Sequence, residues 1–274
     1  MLPLFITSCT NDDTTVTTAT QQEQPVTISA GITRGEGQSE SFAYDKIKVT
    51  NVTRKDNGLL NNSAVFTLVP SESSPSWTSN GILLWSAGEE NTFQAVYPAT
   101  AEYSSFTVPS DQSDADKFKS ADWMTCETKV TLNNLTDASP LELTFERKMA
   151  MVVVEILNAT DVSTLTSLTV ESPSPDNNNI TFENPDHKIT AYKDANTGNM
   201  FSAIIAPGTK SSEELLCTLI LNDASEKSLK LQSDINFEAG KKYTFQCSLT
   251  SQPDSAPTRS ASPDNLSLVS VEPM

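Results

Sequence analysis

Cys9 is the one residue in this chain whose neighbours assign it a reaction. The run Met1-Leu-Pro-Leu-Phe-Ile-Thr-Ser-Cys9 is short and apolar, closes on Ile6-Thr7-Ser8-Cys9, and gives way at once to polar sequence. It looks like a bacterial lipobox, in which a small residue before the cysteine is admitted by the signal peptidase and the thiol becomes the attachment point for diacylglycerol. The run is shorter than a normal export signal and has no basic start, so the true start is expected upstream of Met1. On this reading residues 1–9 are the end of a lipoprotein signal, and Cys9 becomes the first residue of the mature chain, held by membrane lipid.

The other chemistry-bearing residues spell no catalytic or metal site. His187 is the single histidine, and Asn184-Pro-Asp-His-Lys around it reads as a turn with an exposed imidazole. No Gly-x-Ser-x-Gly elbow accompanies it. The phosphate-binding patterns GxGxxG and GxxxxGK are missing as well. Most of the 35 Asp and Glu residues sit in loops beside Ser and Asn, where a solvated surface explains them better than a glycosidase pair does. EF-hand spacing is not found. Cys126, Cys217 and Cys247 lack CxxC or Cys-x-His spacing, so zinc is not suggested. Cys217 and Cys247 lie in β-like segments, and two readings stand: small buried apolar residues, or one disulfide between them. Trp77, Trp85 and Trp123 would suit sugar stacking if they shared an open face, although Trp85 follows Ile82-Leu-Leu and reads as core. The expectation is a protein with no catalytic residue, metal or cofactor, and no enzyme activity.

The elements around these residues read as strands. Charged residues make up only 19% of the chain, Ser, Thr and Asn are plentiful, and short apolar runs recur between polar loops. At 274 residues the chain suits two β-domains of ordinary size. A formal net charge of −17 repels a phosphate backbone, which argues against nucleic acid as a partner. No stretch approaches the roughly 18–20 apolar residues that span a bilayer, so attachment has to come from the N-terminus.

Residues 10–24 are polar and of low complexity, a tether that cannot bury enough apolar area to fold. Val26, Ile28, Ala30 and Ile32 then alternate, which predicts a half-buried strand. Further strands are expected at 47–52, 65–69, 81–85, 92–97 and 105–108. The most apolar segment, 141–157, reads as one long strand or as two with a break near Arg147-Lys148, since Val152-Val-Val154 favours a sheet over a helix. Strands at 165–170, 180–182, 189–192, 201–205, 215–221, 229–231 and 242–249 complete a second set. This divides the chain into an N-terminal β-sandwich over 25–140 and a C-terminal one over 141–250. A Ser- and Pro-rich linker and a lone strand at Leu266–Val271 follow, within 251–274. An isolated strand has no stability in water, so this one must dock on its own domain or join another molecule.

Several of these segments resemble the fimbrillin family, the pilus subunits and related surface lipoproteins of the Bacteroides group. Phe93-Gln-Ala-Val-Tyr-Pro98 is similar to the family's F-x-A-x-Y-P strand, and Val108-Pro-Ser-Asp-Gln112 to its L-P-x-D-Q turn. Ala121-Asp-Trp-Met-Thr-Cys126, the segment 141–156, Ala203-Ile-Ile-Ala-Pro-Gly208 and Ala239-Gly-Lys-Lys-Tyr-Thr-Phe245 resemble later family motifs in the family's order. Arg147 stands where the family often has His, at a position expected to pack or hydrogen-bond structurally. Leu266–Val271 also lacks the Trp often seen near the end of relatives.

The resemblance implies an all-β fold of two tandem transthyretin-like β-sandwich domains. The function it implies is that of a stalk, anchor or tip subunit of an extracellular fimbrium at the cell outer membrane, with other pilus subunits as partners. Relatives are thought to lose their first strand to a trypsin-like protease at an Arg, and the next subunit's donor segment fills the groove. In this chain the removable strand is then Val26, Ile28, Ala30 and Ile32. The processing site is Arg34-Gly35, read as lying just after that strand. The donor strand is Leu266, Leu268, Val269 and Val271. The competing reading is a surface lipoprotein that binds glycans, which would present two or three Trp or Tyr rings on one open face.

Overall fold

The computed structural model describes residues 24–34, 38–41, 45–53, 62–70, 76–86, 90–134, 137–157, 164–248 and 265–274. The chain is nearly all β. Its first part forms β1 (Ile28–Arg34), β2 (Gln38–Ser41), β3 (Lys46–Asn51), β4 (Ser63–Val69), β5 (Ser76–Asn80) and β6 (Glu90–Tyr97). A connecting region follows with β7 (Phe106–Val108) and the short helix α1 (Ala115–Ser120), before β8 (Met124–Thr131) and β9 (Leu141–Arg147). The second part holds β10 (Ala150–Leu157), β11 (Leu165–Glu171), β12 (Ile180–Phe182), β13 (Lys188–Thr190), β14 (Tyr192–Lys193) and β15 (Met200–Ile205). It ends with β16 (Gly208–Lys210), β17 (Leu215–Leu221), β18 (Glu226–Leu231), β19 (Ile235–Phe237), β20 (Lys241–Ser248) and β21 (Asn265–Pro273).

Among the described residues the first sheet runs β2-β1-β9-β8-β6-β3-β4-β5. It turns a corner where β8 and β9 meet in only two residue pairs, Met124 with Arg147 and Thr125 with Glu146. The layer β2-β1-β9 thereby faces the layer β8-β6-β3-β4-β5. Alternation fills the space between them: Ile47 and Val49 from β3, Phe93 and Ala95 from β6, and Leu141, Leu143 and Phe145 from β9 share one buried cluster. At one end of this core, Asn51 and Asn91 are fully buried and joined by a 2.9 Å amide hydrogen bond. Asn91 also accepts from the Ser86 N–H and donates to its carbonyl, which anchors the loop leading to Trp85.

The second sheet runs β13-β11-β17-β18-β21-β20-β10-β15-β14. β10, flanked by β20 and β15, has its valines buried on both faces, which accounts for the unbroken Val152-Val-Val154 run. Phe201, Phe245, Leu168, Cys217, Leu219 and Leu229 complete the core. Val96, Phe106, Val108 and Trp123 from the connecting region join this same cluster, and β7 pairs in parallel with β12 of the second part. The two sandwiches are thus sutured by side chains and by a two-stranded ladder.

The apolar segment 141–157 resolves into two strands, as its Arg147-Lys148 break allowed. The expected boundary near 140 needs correction, because β9 belongs to the first sheet and the chain changes sheet at Lys148–Met149. β9 alternates and β10 carries an unbroken β-branched run, but neither pattern names the sheet a strand joins, so pattern alone did not assign β9. The strand expected at 81–85 is also corrected: only Leu84 makes a β-bridge, to Pro25. Leu83, Leu84 and Trp85 are all buried in succession, as in a loop that plugs the end of a sandwich.

Candidate assembly site

The four residues of the expected removable strand come together. Val26, Ile28 and Ile32 are buried in the first core and Ala30 is half-buried beside them. β1 lies parallel to β9, from Ile28 opposite Leu141 to Ile32 opposite Phe145, and antiparallel to β2 on its other side. Ahead of the regular strand, the Val26 N–H donates to the Leu83 carbonyl at 2.8 Å and the Leu141 N–H to the Thr27 carbonyl at 2.7 Å. One expectation changes: Arg34 does not follow the strand but ends it, paired with Gln38 across a hairpin. Hydrogen bonding to β2 carries the strand past Ile32, where apolar alternation stops. Gly35, Cys9, the tether up to residue 23 and the linker at 249–264 lie outside the described residues.

The C-terminal strand docks on its own domain. β21 pairs antiparallel with β20 from Gln246 opposite Ser267 to Lys241 opposite Pro273, and in parallel with β18 only at Asn265 and Leu266. It is the strand through which the two halves of the second sheet meet. Leu266 and Met274 are buried. Between them Leu268, Val269 and Val271 remain 41%, 53% and 49% exposed, and a bulge disturbs the register there. A hydrogen bond from Lys242, at 2.9 Å, holds the Glu272 carboxyl below its usual range.

Arg147, two residues past the stretch of β9 that pairs with β1, reaches the end of the C-terminal strand. Its Nε donates to Asp122 Oδ2 at 2.9 Å, with 10% and 4% of the two side chains exposed, and its second nitrogen, Nη1, donates to the Met274 main-chain oxygen at 2.8 Å. The surrounding backbone is tied in as well. The Met274 N–H donates to Gly240 at 2.9 Å, the Gly240 N–H to Met149 at 2.7 Å, and the Lys148 N–H to Trp123 at 2.9 Å. Gly240 has φ +73, a conformation that favours glycine. The substitution of Arg for the family's frequent His had marked position 147 as structural. Asp122, Gly240 and Met274 carried no sequence signal as its companions.

The remaining chemistry-bearing residues serve packing. Trp85 and Trp123 are buried, Trp85 meeting Phe93 edge to face and Trp123 stacking on Phe106. Trp77 is half-buried on the edge strand β5. His187 departs from the exposed residue expected: it is half-buried, with its ring stacked 4.1 Å from Phe182. Cys126, Cys217 and Cys247 are buried thiols with no disulfide among them, which corrects the disulfide reading. Burial pushes the Cys126 thiol up to about 11 and the Cys217 thiol higher still. Among the described residues no group of three His, Cys, Asp or Glu side chains is placed to hold a metal ion. No helix among them is long and apolar enough to cross a membrane.

Comparison with known proteins places this geometry. A family model described as fimbrillin-like matches residues 10–263. No curated protein sequence matches the chain. A putative cell adhesion protein from Bacteroides ovatus superposes with a TM-score of 0.57 at 17% identity, over 92% of this chain and 98% of that one. A putative cell adhesion protein from Bacteroides uniformis gives a TM-score of 0.55 at 16% identity, over 93% and 98%. At these identities the likeness is one of fold, extending through both sandwiches.

Proposed function

The chain belongs to the fimbrillin-like family, and we propose that it is a surface-exposed pilus subunit that joins its neighbours by strand exchange. The observation that carries the proposal is the state of β21, which leaves Leu268, Val269 and Val271 about half exposed where it rests. Fully burying a Val or Leu side chain is worth about 1.5–3 kcal/mol. The strand therefore has apolar surface still to gain in a groove that buries one of its faces, and its backbone would be paired there as it is now. Such a groove arises if β1 leaves the first sandwich, because β1 covers Leu141, Leu143 and Phe145 along β9.

In this reading a trypsin-like protease cuts at Arg34, the strand Val26–Ile32 departs, and Leu266–Val271 of another subunit enters. Cys9 carries the lipid that holds the subunit on the outer membrane. The glycan-binding alternative is disfavoured by the aromatic rings: Trp85, Trp123, Tyr97 and Tyr243 are buried. A polar depression of about 570 Å³ bordered by Lys48, Gln94, Glu102 and Tyr103 offers one ring only.

The test is limited trypsin digestion, with the cut mapped by mass spectrometry and polymers followed by size. The native chain should polymerise after cleavage at Arg34. Arg34→Ala and a chain truncated after Pro263 should not. Assembly that proceeds unchanged in both variants would overturn the assignment.

A further inference from the structure

β9 stands between the two segments that the proposed function sets in motion, and its two ends do different things. From Leu141 to Phe145 it is paired with β1. At Glu146 and Arg147 it is paired with β8, and only there. Five of its seven residues thus take β1 as their ladder partner, with Thr144 also hydrogen-bonded through its backbone to Cys126 of β8, while Leu141, Leu143 and Phe145 are no more than 2% exposed in the core that β1 closes. Two residues beyond Phe145, the Arg147 guanidinium spans from Asp122 to the Met274 main-chain oxygen.

A guanidinium is a planar fork, and bonding Asp122 and Met274 at once requires the side chain to sit in one position. The Met274 end of the tail is thereby held from two sides, by Arg147 of the first sheet and by Gly240 of the second. Its middle, with three half-exposed aliphatic side chains, is held mainly by the ladder to β20.

We propose that β9 is a latch lever: β1 fixes β9, β9 fixes Arg147, and Arg147 retains the C-terminal strand, so that loss of β1 also frees β21. This rests on the strand-exchange reading and adds an order of events to it. A subunit with its first strand in place keeps its donor strand docked, and opening the acceptor groove arms the donor of the same molecule. Premature pairing between uncut subunits is suppressed without a second cleavage. The bistable element is the β9 end with its guanidinium, and both segments bias it.

The experiment is hydrogen exchange of the β21 amides in the full chain, compared with the β3 and β6 amides as a control for the fold. Arg147→Lys keeps the positive charge beside Asp122 but cannot fork to Met274, and should speed exchange at the end of β21 by about tenfold, the effect of one charge-assisted hydrogen bond. Ser29→Pro removes a backbone N–H that the parallel register directs at β9 and should speed β21 exchange while leaving β3 protected. The double variant should gain little over Ser29→Pro alone, because both act through one contact.

Loosened β1 and β9 amides with β21 unchanged in Ser29→Pro would overturn the latch, as would an unchanged β21 in Arg147→Lys. If Ser29→Pro also unfolds β3, trypsin cleavage of the native chain supplies the same comparison. Polymers that form while β21 protection is unaffected remove the latch but keep strand exchange. A freed β21 without polymers keeps the latch and removes strand exchange.

Discussion

Arg147 and Asp122 form a near-buried ion pair, Nε to Oδ2 at 2.9 Å, across the point where the chain leaves one sandwich for the other. Asp122 follows α1 in the connecting region, and Arg147 ends β9, with Met124 as its cross-strand partner. The pair therefore fixes the connecting region to the sheet corner.

Removing one member of this pair should cost far more than removing both. Arg147→Met leaves the Asp122 carboxylate in a site made for a guanidinium, and about 3–5 kcal/mol is the expected loss for a buried pair broken on one side. Asp122→Leu combined with Arg147→Met should recover part of that loss. Urea unfolding of the two single variants and the double variant, read as a double-mutant cycle, checks this. Additive losses would show that the two residues act separately.

Leu141-Glu-Leu-Thr-Phe alternates so plainly that its strand character and inward face were legible, as they were for Ile47 and Val49 and for Tyr243, Phe245 and Cys247. Partner choice was not, because a period of two says which side chains face inward but not which sheet they face. β2 and β5 escaped notice for the opposite reason. Gln38–Ser41 and Ser76–Asn80 have little apolar pattern, and their extended shape comes from backbone pairing with β1 and β4 at the sheet edges. The Arg147–Met274 contact joins residues 127 positions apart, and no local spacing encodes it.

The buried thiols should make the folded protein less stable in alkali. In the unfolded chain a thiol ionises near pH 8.5, whereas burial holds Cys126 protonated to about 11 and Cys217 beyond that. Above the unfolded value the unfolded state binds fewer protons than the native one, so stability falls as pH rises from about 8.5 to 11. Denaturant midpoints across that range should decline, and less steeply in Cys126→Ala. At pH 8 all three thiols should resist alkylation until denaturant is added. Rapid labelling of the native protein would contradict the burial.

Cys9→Ala should release the protein from membranes. One acyl chain binds a bilayer only marginally, and stable anchoring takes two or more signals, which a diacylated cysteine supplies. Fractionation of cells expressing the variant should move it to the soluble fraction and abolish palmitate labelling. A variant that still sediments with the outer membrane and still labels would rule out the lipobox reading.

The tail should be replaceable in trans. In a chain ending at Pro263, the edge of β20 that carries Lys241–Gln246 is left unpaired, and the positions of Leu266 and Met274 in the second core are vacated. A synthetic peptide of residues 265–274 should bind there, restoring the β20 ladder and raising the melting temperature in a concentration-dependent way. Leu266 is the buried anchor at one end, so a peptide with Leu266→Ser should bind more weakly by about 1.5–3 kcal/mol, or roughly 10- to 150-fold. Leu268→Ser and Val271→Ser, at half-exposed positions, should cost much less at this site. If strand exchange operates, the order changes when the acceptor is the native chain cleaved at Arg34. There the β1 groove, which buries alternate residues of its strand, would cover one face of the incoming strand, and Leu268, on the same face as Leu266, should matter as much as Leu266. Titration calorimetry with the same three peptides on the two acceptors separates the cases. An unchanged ranking on the cleaved chain would show that these side chains gain nothing from leaving home.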